Sequence, residues 1–325
     1  MEVVTTVGGW VPEWPYNALG GALATGVGLW MLRRYFAGGV CQSKAKLDGQ
    51  MVIITGGNTG IGKETAIDLA KRNARVILAC RSEEKGKKAE VDVRRESGNN
   101  DVHFRQLDLS SFASIRKFAK EVLEEESCVD ILINNAGVMM CPYTKTEDGF
   151  EMQFGVNHLG HFLLTNLLLD RIKQAPEGRI VNVSSSMHAF SPPLNLDTIN
   201  SEDNYSAIQS YSNSKLANVL FTKALAKRLH RTNVITTSLH PGAIDTDLQR
   251  HTLSIRVAKF FVGWLLFKTP KQGAQTTIHL AVSESIRGSS GEYFADCKIK
   301  APSKHALDEE AAENLWQKSE EWTGL

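Results

Sequence analysis

An excess of charge of either sign is missing from this chain: 37 lysines and arginines face 36 aspartates and glutamates, for a formal net charge of +1. Without a basic face or an acidic tail, the composition speaks against a nucleic-acid partner. Cysteines are few and unpatterned. Cys41, Cys80, Cys128, Cys141 and Cys297 are an odd set with no CxxC or CxxH spacing, which excludes a disulfide framework and a zinc site and predicts a reducing compartment. Internal repeats and low-complexity tracts are absent as well. What remains is ordinary globular composition, 42% hydrophobic and 22% charged, on 325 residues. That is enough for a large core, and α/β folds of this length form one unit.

A basic leader is also lacking. Before Arg33 the only charged residues are Glu2 and Glu13, which fits neither a cleavable secretory signal nor an arginine-rich matrix-targeting peptide. From Ala18 to Leu32 no residue is charged. As a helix this stretch covers about 22 Å, short of a ~30 Å hydrocarbon core. Extended from Tyr16 to Phe36 it reaches about 31 Å if Arg33 and Arg34 snorkel outward. The expectation is a membrane anchor, with Arg33, Arg34, Lys44 and Lys46 keeping the remainder on the cytosolic side. An apolar helix packed on the globular part, or a flexible leader, is the alternative.

Past Gly38-Gly39, short apolar runs alternate with longer amphipathic ones. Strands are predicted at Met51–Thr55, Arg75–Cys80, Val102–Asp108, Val129–Asn134, Arg179–Ser184, Val234–Leu239 and near Gly291–Phe294. Helices are predicted at Ile61–Arg72, Glu83–Glu96, Ser111–Glu126, Glu151–Lys173 and Gln209–His230. Such alternation, with continuously apolar strands, predicts a doubly wound α/β fold: a Rossmann-type parallel sheet of about seven strands behind an N-terminal apolar helix. Ligands in this architecture sit beyond the carboxyl ends of the strands.

Directly after the first predicted strand comes Thr55-Gly56-Gly57-Asn58-Thr59-Gly60-Ile61-Gly62, opening a helix. Gly56 permits the sharp turn, Gly60 lets backbone approach a pyrophosphate, and Gly62 lets helix and strand pack closely. The helix N-terminus then faces the phosphate charge. After the second strand an Asp or Glu would hold a ribose 2′-hydroxyl, but Cys80-Arg81-Ser82 stands there. Arg81 can grip a 2′-phosphate with its planar fork, so NADP(H) is expected over NAD(H). Lys63 either adds to that grip or is a solvated surface charge. Asp108, with Leu109 after it, either meets the adenine or caps the helix near Ser111. In Asn134-Asn135-Ala136-Gly137 the paired amides can tie neighbouring strands, while Ala136 and Gly137 leave room for a ribose.

Tyr211 and Lys215 stand four apart at the start of a predicted helix, on one face. An adjacent ammonium favours phenolate and lowers the tyrosine pKa from about 10. Ser185, twenty-six residues earlier, ends the fifth strand within a run of three serines. Its hydroxyl can hold a substrate oxygen as that oxygen gains or loses charge.

Taken in order, these motifs resemble the short-chain dehydrogenase/reductase family over roughly Lys46 to Ala301: TGxxxGIG at Thr55–Gly62, NNAG at Asn134–Gly137, Asn157, Ser185, YxxxK at Tyr211–Lys215, and Pro241-Gly242 followed by Thr246. The resemblance implies that Tyr211 is the acid/base and that Ser185 orients and polarises the carbonyl. It implies that Lys215 binds the nicotinamide ribose, that Asn157 supports a water-linked proton relay, and that Pro241, Gly242 and Thr246 meet the carboxamide. More narrowly, GVCQS at Gly39–Ser43, NTGIGKETA at Asn58–Ala66, LACR at Leu78–Arg81 and EDGFEMQFGVNHLGHFLL at Glu147–Leu164 resemble the retinol dehydrogenase 11-to-14 group. That likeness implies an NADP(H) enzyme of lipophilic alcohols and carbonyls, plausible for retinol and retinal, with steroids, lipid aldehydes or xenobiotic carbonyls as alternatives. It also implies membrane attachment, in the endoplasmic reticulum or alternatively the mitochondrial inner membrane. A homodimer is possible on this reading. Met187 and the 191–204 loop depart from the group's pattern. The aromatic-rich Val257–Phe267 is expected either to meet a lipid-like ligand or make a second membrane contact, or else to pack in the core or form a dimer face. The expected organisation is an anchor and linker over 1–45, a dinucleotide-binding domain over 46–301, and a C-terminal helix within 302–325.

Overall fold

A computed structural model describes residues 27, 28, 30–203, 205–244 and 267–325. Eight strands form one sheet in the order β3-β2-β1-β4-β5-β6-β7-β8. They are β1 (Met51–Thr55), β2 (Arg75–Cys80), β3 (Val102–Gln106), β4 (Ile131–Asn134), β5 (Gly178–Val183), β6 (Val234–His240), β7 (Tyr293–Ala295) and β8 (Lys298–Ile299). All neighbours pair in parallel except β7 and β8, which form an antiparallel hairpin. The central strands β1, β4 and β5 are buried along their whole length. Two-sided burial is why their sequences are continuously apolar rather than alternating.

Helices cover both faces: α1 (Gly60–Lys71), α2 (Glu83–Ser97), α3 (Phe112–Glu125), α4 (Gly160–Lys173), α5 (Ala207–Leu229), α6 (Pro270–Val282) and α7 (Glu309–Thr323). One core, with Ile53, Leu132, Phe162, Leu216 and Trp316, lies under α3, α4 and α5. The other, with Val52, Ile54, Leu69, Val181 and Ile278, lies under α1, α2 and α6. Helix α7 closes the first core, its Trp316 ring 4.9 Å from Phe162 and 5.8 Å from Phe221.

The predicted helix Glu151–Lys173 is not one regular helix. A single turn at Met152–Phe154 runs into a π-helical stretch, Gly155–Leu159, before α4 begins. Apolar spacing does not reveal this offset, because the π stretch keeps the same residues buried. At the N-terminus, residues 30–37 are helical, and Arg33 donates to Gln272 Oε1 at 2.9 Å. Among the described residues no helix is long and apolar enough to cross a membrane. Most of the Ala18–Leu32 run, Thr246 and residues 257–266 of the aromatic segment lie outside the described residues.

Candidate active site

Between β1 and β4 the strand order reverses, since the chain moves outward to β2 and β3 and then returns to the other side of β1. The crevice beyond the carboxyl ends at such a point is where a dinucleotide fits. Gly56 lies at φ 66° in the left-handed region. A Cβ on Gly62 would sit 2.4 Å from the Gly56 carbonyl oxygen and 2.6 Å from Asn135 Nδ2. No side chain is tolerated there, so the turn and the start of α1 are in backbone contact, as the motif predicts. Thr59, at the N-cap of α1, makes no side-chain capping bond. The first amides of the helix are thus left for an anionic ligand. Behind the turn, Cys80 sulfur accepts from the amides of Gly57 and Asn58, and burial pushes its thiol up to about 12.

The NNAG segment is bound to this turn. Asn134 Nδ2 donates to Asn182 Oδ1 at 2.8 Å and to Thr165 Oγ1 at 2.9 Å, tying β4 to β5 and α4. Asn135 Nδ2 donates to the Thr55 carbonyl at 2.8 Å, and the amides of Asn135 and Ala136 both reach Thr55 Oγ1 at 2.9 Å. The paired asparagines therefore do what their amide chemistry suggests. At Gly137 a Cβ would lie 3.1 Å from Asn157 Oδ1 and 3.6 Å from Lys215 Nζ, so both groups face the bare end of β4.

Arg81 projects from the end of β2 with 68% of its side chain exposed, 4.0 Å from Asp108. Lys63, read as either part of a phosphate grip or a surface charge, pairs with Asp92 on α2 at 2.8 Å. A carboxylate one helix away competes for it, a contact that local spacing does not show. Asp108 accepts from the Ser110 amide and hydroxyl at 2.9 and 2.7 Å, while Ser111, not Asp108, caps α3. Leu109 is buried against Gly160 at the start of α4.

On the other side of the crevice, Tyr211 and Lys215 are 5% and 3% exposed. The Ser185 hydroxyl, two residues beyond β5, faces the Tyr211 phenol of α5 and acts to lower its pKa. Lys215 Nζ lies 5.7 Å from the centroid of the Tyr211 ring and donates to the Val183 carbonyl at 3.1 Å. Ser184, the neighbour of Ser185 in the serine run, is spent on the Lys215 carbonyl at 2.7 Å. Asn157 Oδ1 accepts from the Val138 amide at 2.8 Å, and its Nδ2 donates to Ser214 Oγ at 2.9 Å.

One electrostatic expectation is overturned. The ammonium does not hold the Tyr211 phenol below its ordinary range; burial pushes the phenol up to about 12, with the Ser185 hydrogen bond offsetting only part of this. The same loss of water brings Lys215 down to about 8. Spacing of four reports proximity but not solvation, and here desolvation decides the sign.

For Thr55 only its place in the glycine motif was legible, and for His161, His188 and Lys268 no functional role was. Thr55 links the turn to NNAG. His161 joins Thr55 at 2.9 Å. His188 donates to the Ser185 carbonyl at 2.7 Å and accepts from the Ser303 amide at 2.9 Å, fastening the C-terminal arm to the serine turn. Lys268 pairs with Asp296 at 2.6 Å beside Gly242. The one available signal was position: Thr55 directly precedes the glycines, and His161 follows Asn157 by one helical turn.

The comparisons agree with this geometry. The family described as short chain dehydrogenase matches residues 50–255. Human retinol dehydrogenase 13 is 49% identical over 318 residues, 96% of this chain and 95% of that protein. Human retinol dehydrogenase 12 is 50% identical over 298 residues, 90% of this chain and 92% of that protein. A solved Mycobacterium paratuberculosis structure has TM-score 0.72 at 34% identity, covering 88% of this chain and 98% of its own. A Shigella flexneri short chain dehydrogenase solved with NADP, at 21% identity and TM-score 0.63 over 79% of this chain and 100% of its own, shares the fold. Glycine turn, asparagine-tied strands and a buried tyrosine–lysine pair beside Ser185 therefore belong to a member of the short-chain dehydrogenase family, an alcohol-dehydrogenase-type oxidoreductase similar to the retinol dehydrogenases 11 to 14.

Proposed function

We propose that this chain is an NADP(H)-dependent enzyme interconverting a lipophilic alcohol and its aldehyde or ketone, with retinol and retinal the leading pair. The observation that carries this reading is the contact of Tyr211 with Ser185 beside Lys215, at the carboxyl end of the sheet. The amides of Gly56–Gly62, with Asn135–Gly137, Tyr211, Lys215 and Pro241-Gly242, would hold the dinucleotide. Arg81, largely exposed and only loosely engaged by Asp108, is free to swing onto a 2′-phosphate. A bound nicotinamide would supply hydride exchange with the carbon of the substrate.

The protein's own part is the proton. Ser185 and Tyr211 present two hydroxyls to one carbonyl oxygen. Because burial raises the Tyr211 pKa, its proton stays on at neutral pH, and the phenol is a general acid ready for the reductive direction. In the oxidative direction the same group must first lose that proton, so oxidation gains with rising pH. Lys215, close to its own titration at pH 8, remains mostly charged at neutrality and stabilises the phenolate as it forms.

Identities near 50% to retinol dehydrogenases support a lipophilic substrate. Membrane attachment is supported by the uncharged run ahead of Arg33, with the endoplasmic reticulum as the proposed site. The test is NADPH and NADH oxidation over all-trans-retinal, medium-chain alkanals and steroids with solubilised protein. Retinal-dependent NADPH oxidation, about tenfold or more above that with NADH, is expected. Equal use of both cofactors, or no turnover of any carbonyl compound, contradicts the proposal.

A further inference from the structure

The π stretch that precedes α4 carries a carbonyl whose partner is a buried histidine. His161 is 2% exposed. Its Nδ1 lies 3.0 Å from the main-chain oxygen of Asn157, and its Nε2 lies 2.9 Å from Thr55 Oγ1. The partners fix the tautomer. A carbonyl only accepts, so Nδ1 carries the proton, Nε2 is the acceptor, and the Thr55 hydroxyl is the donor. That hydroxyl in turn accepts from the amides of Asn135 and Ala136. One line of hydrogen bonds thus runs from the cofactor turn, through the ring, to Asn157.

Asn157 is where this line meets the reacting groups. Its side chain holds both the amide and the carbonyl of Val138 and reaches Ser214, the neighbour of Lys215. Asn157 Oδ1 and Lys215 Nζ both face the Cα of Gly137. A ring in this place must stay uncharged to accept from Thr55, and it does: burial first, then the nearby Lys215 charge, brings its pKa down to about 4. The other titratable group beside it, His158, is held neutral by burial in the same way. Burying an imidazole costs desolvation that a leucine would not incur, and both ring nitrogens are used here.

We propose that His161 is a positioning residue for the redox reaction, its Nδ1–H fixing the Asn157 carbonyl, and with it Asn157 beside Lys215, while Thr55 holds the ring in the tautomer that donates. This rests on the role given to Tyr211, Ser185 and Lys215 above. The effect is on turnover rather than on affinity, because the groups moved are those of proton transfer.

Two substitutions divide the ring. In His161→Asn the amide nitrogen falls near the place of Nδ1 and can still donate one turn back; Asn166 in the same helix makes this bond to the Phe162 carbonyl at 2.8 Å. In His161→Gln the amide reaches toward Thr55 instead. With full-length protein, NADPH and retinal, His161→Asn is expected to keep kcat within about threefold, and His161→Gln to lose about tenfold or more. The NADPH Kd is expected to stay within about twofold in both. Equal kcat in the two variants, or losses that follow NADPH affinity and melting temperature, overturn the proposal. Tyr211→Phe serves as the separate control: if it turns over like the unsubstituted enzyme, the underlying reading fails, whatever the His161 variants do.

Discussion

The two sides of the crevice are built in opposite ways. On the β1 side the site is made by leaving side chains out. Gly56 bends the backbone, Gly62 lets α1 touch it, and the helix start is left uncapped. On the β5 side the site is made by burying polar side chains and partnering them. Asn182 reaches Thr222 at 3.0 Å, Ser184 reaches Lys215, Asn218 and Lys215 share the Val183 carbonyl, and Asn157 reaches Ser214. An anion held by backbone amides needs open space and little else. A proton moved at neutral pH needs groups whose solvation is controlled, and burial among fixed partners provides that.

Substitutions on the two sides should therefore fail differently. The largest effect is expected from Tyr211→Phe. It removes the donor while preserving the packing, and kcat should fall by about 10²–10⁴ with NADPH Kd unchanged, read by steady-state assay and fluorescence titration. Gly62→Ala should do the reverse. Its methyl would overlap the Gly56 carbonyl, so NADPH affinity should fall, with a stability loss of about 1–3 kcal/mol in thermal melts. Asn182→Ala tests the buried polar side without touching substrate. It leaves Asn134 Nδ2 short of an acceptor and should cost about 1–3 kcal/mol of stability while sparing cofactor affinity. Smallest is Arg81→Ala at an exposed position, for which NADPH should weaken by about 1–1.5 kcal/mol while NADH is unaffected. An equal loss with both cofactors would remove Arg81 from the 2′-phosphate.

How legible each side was follows from the same contrast. A turn made of glycines is local, and its eight residues can be read directly, as can Tyr211 and Lys215 at a spacing of four. Strands β1 and β2 were expected where they are, because two-sided burial makes apolar runs. Partnering is not local. The bonds from His161 to Thr55 and from His188 to Ser303 span 106 and 115 residues, and nothing near either histidine announces them. Lys63 and Asp92 meet across two helices, a pairing that local spacing does not show. The sign of the Tyr211 shift was missed for a related reason: the sequence displays the nearby ammonium but not the water that folding removes. The β8 hairpin strand, Lys298–Ile299, is two exposed residues long, too short for any apolar pattern.

A buried phenol that keeps its proton is the centre of this account, and the pH dependence of kcat in both directions tests it most directly. Retinal reduction should be nearly flat from about pH 6 to about 7.5, while retinol oxidation climbs toward tenfold per pH unit as more of Tyr211 ionises. An oxidation rate already at its plateau near pH 7 would mean that Tyr211 titrates far below 12 and acts as a preformed base.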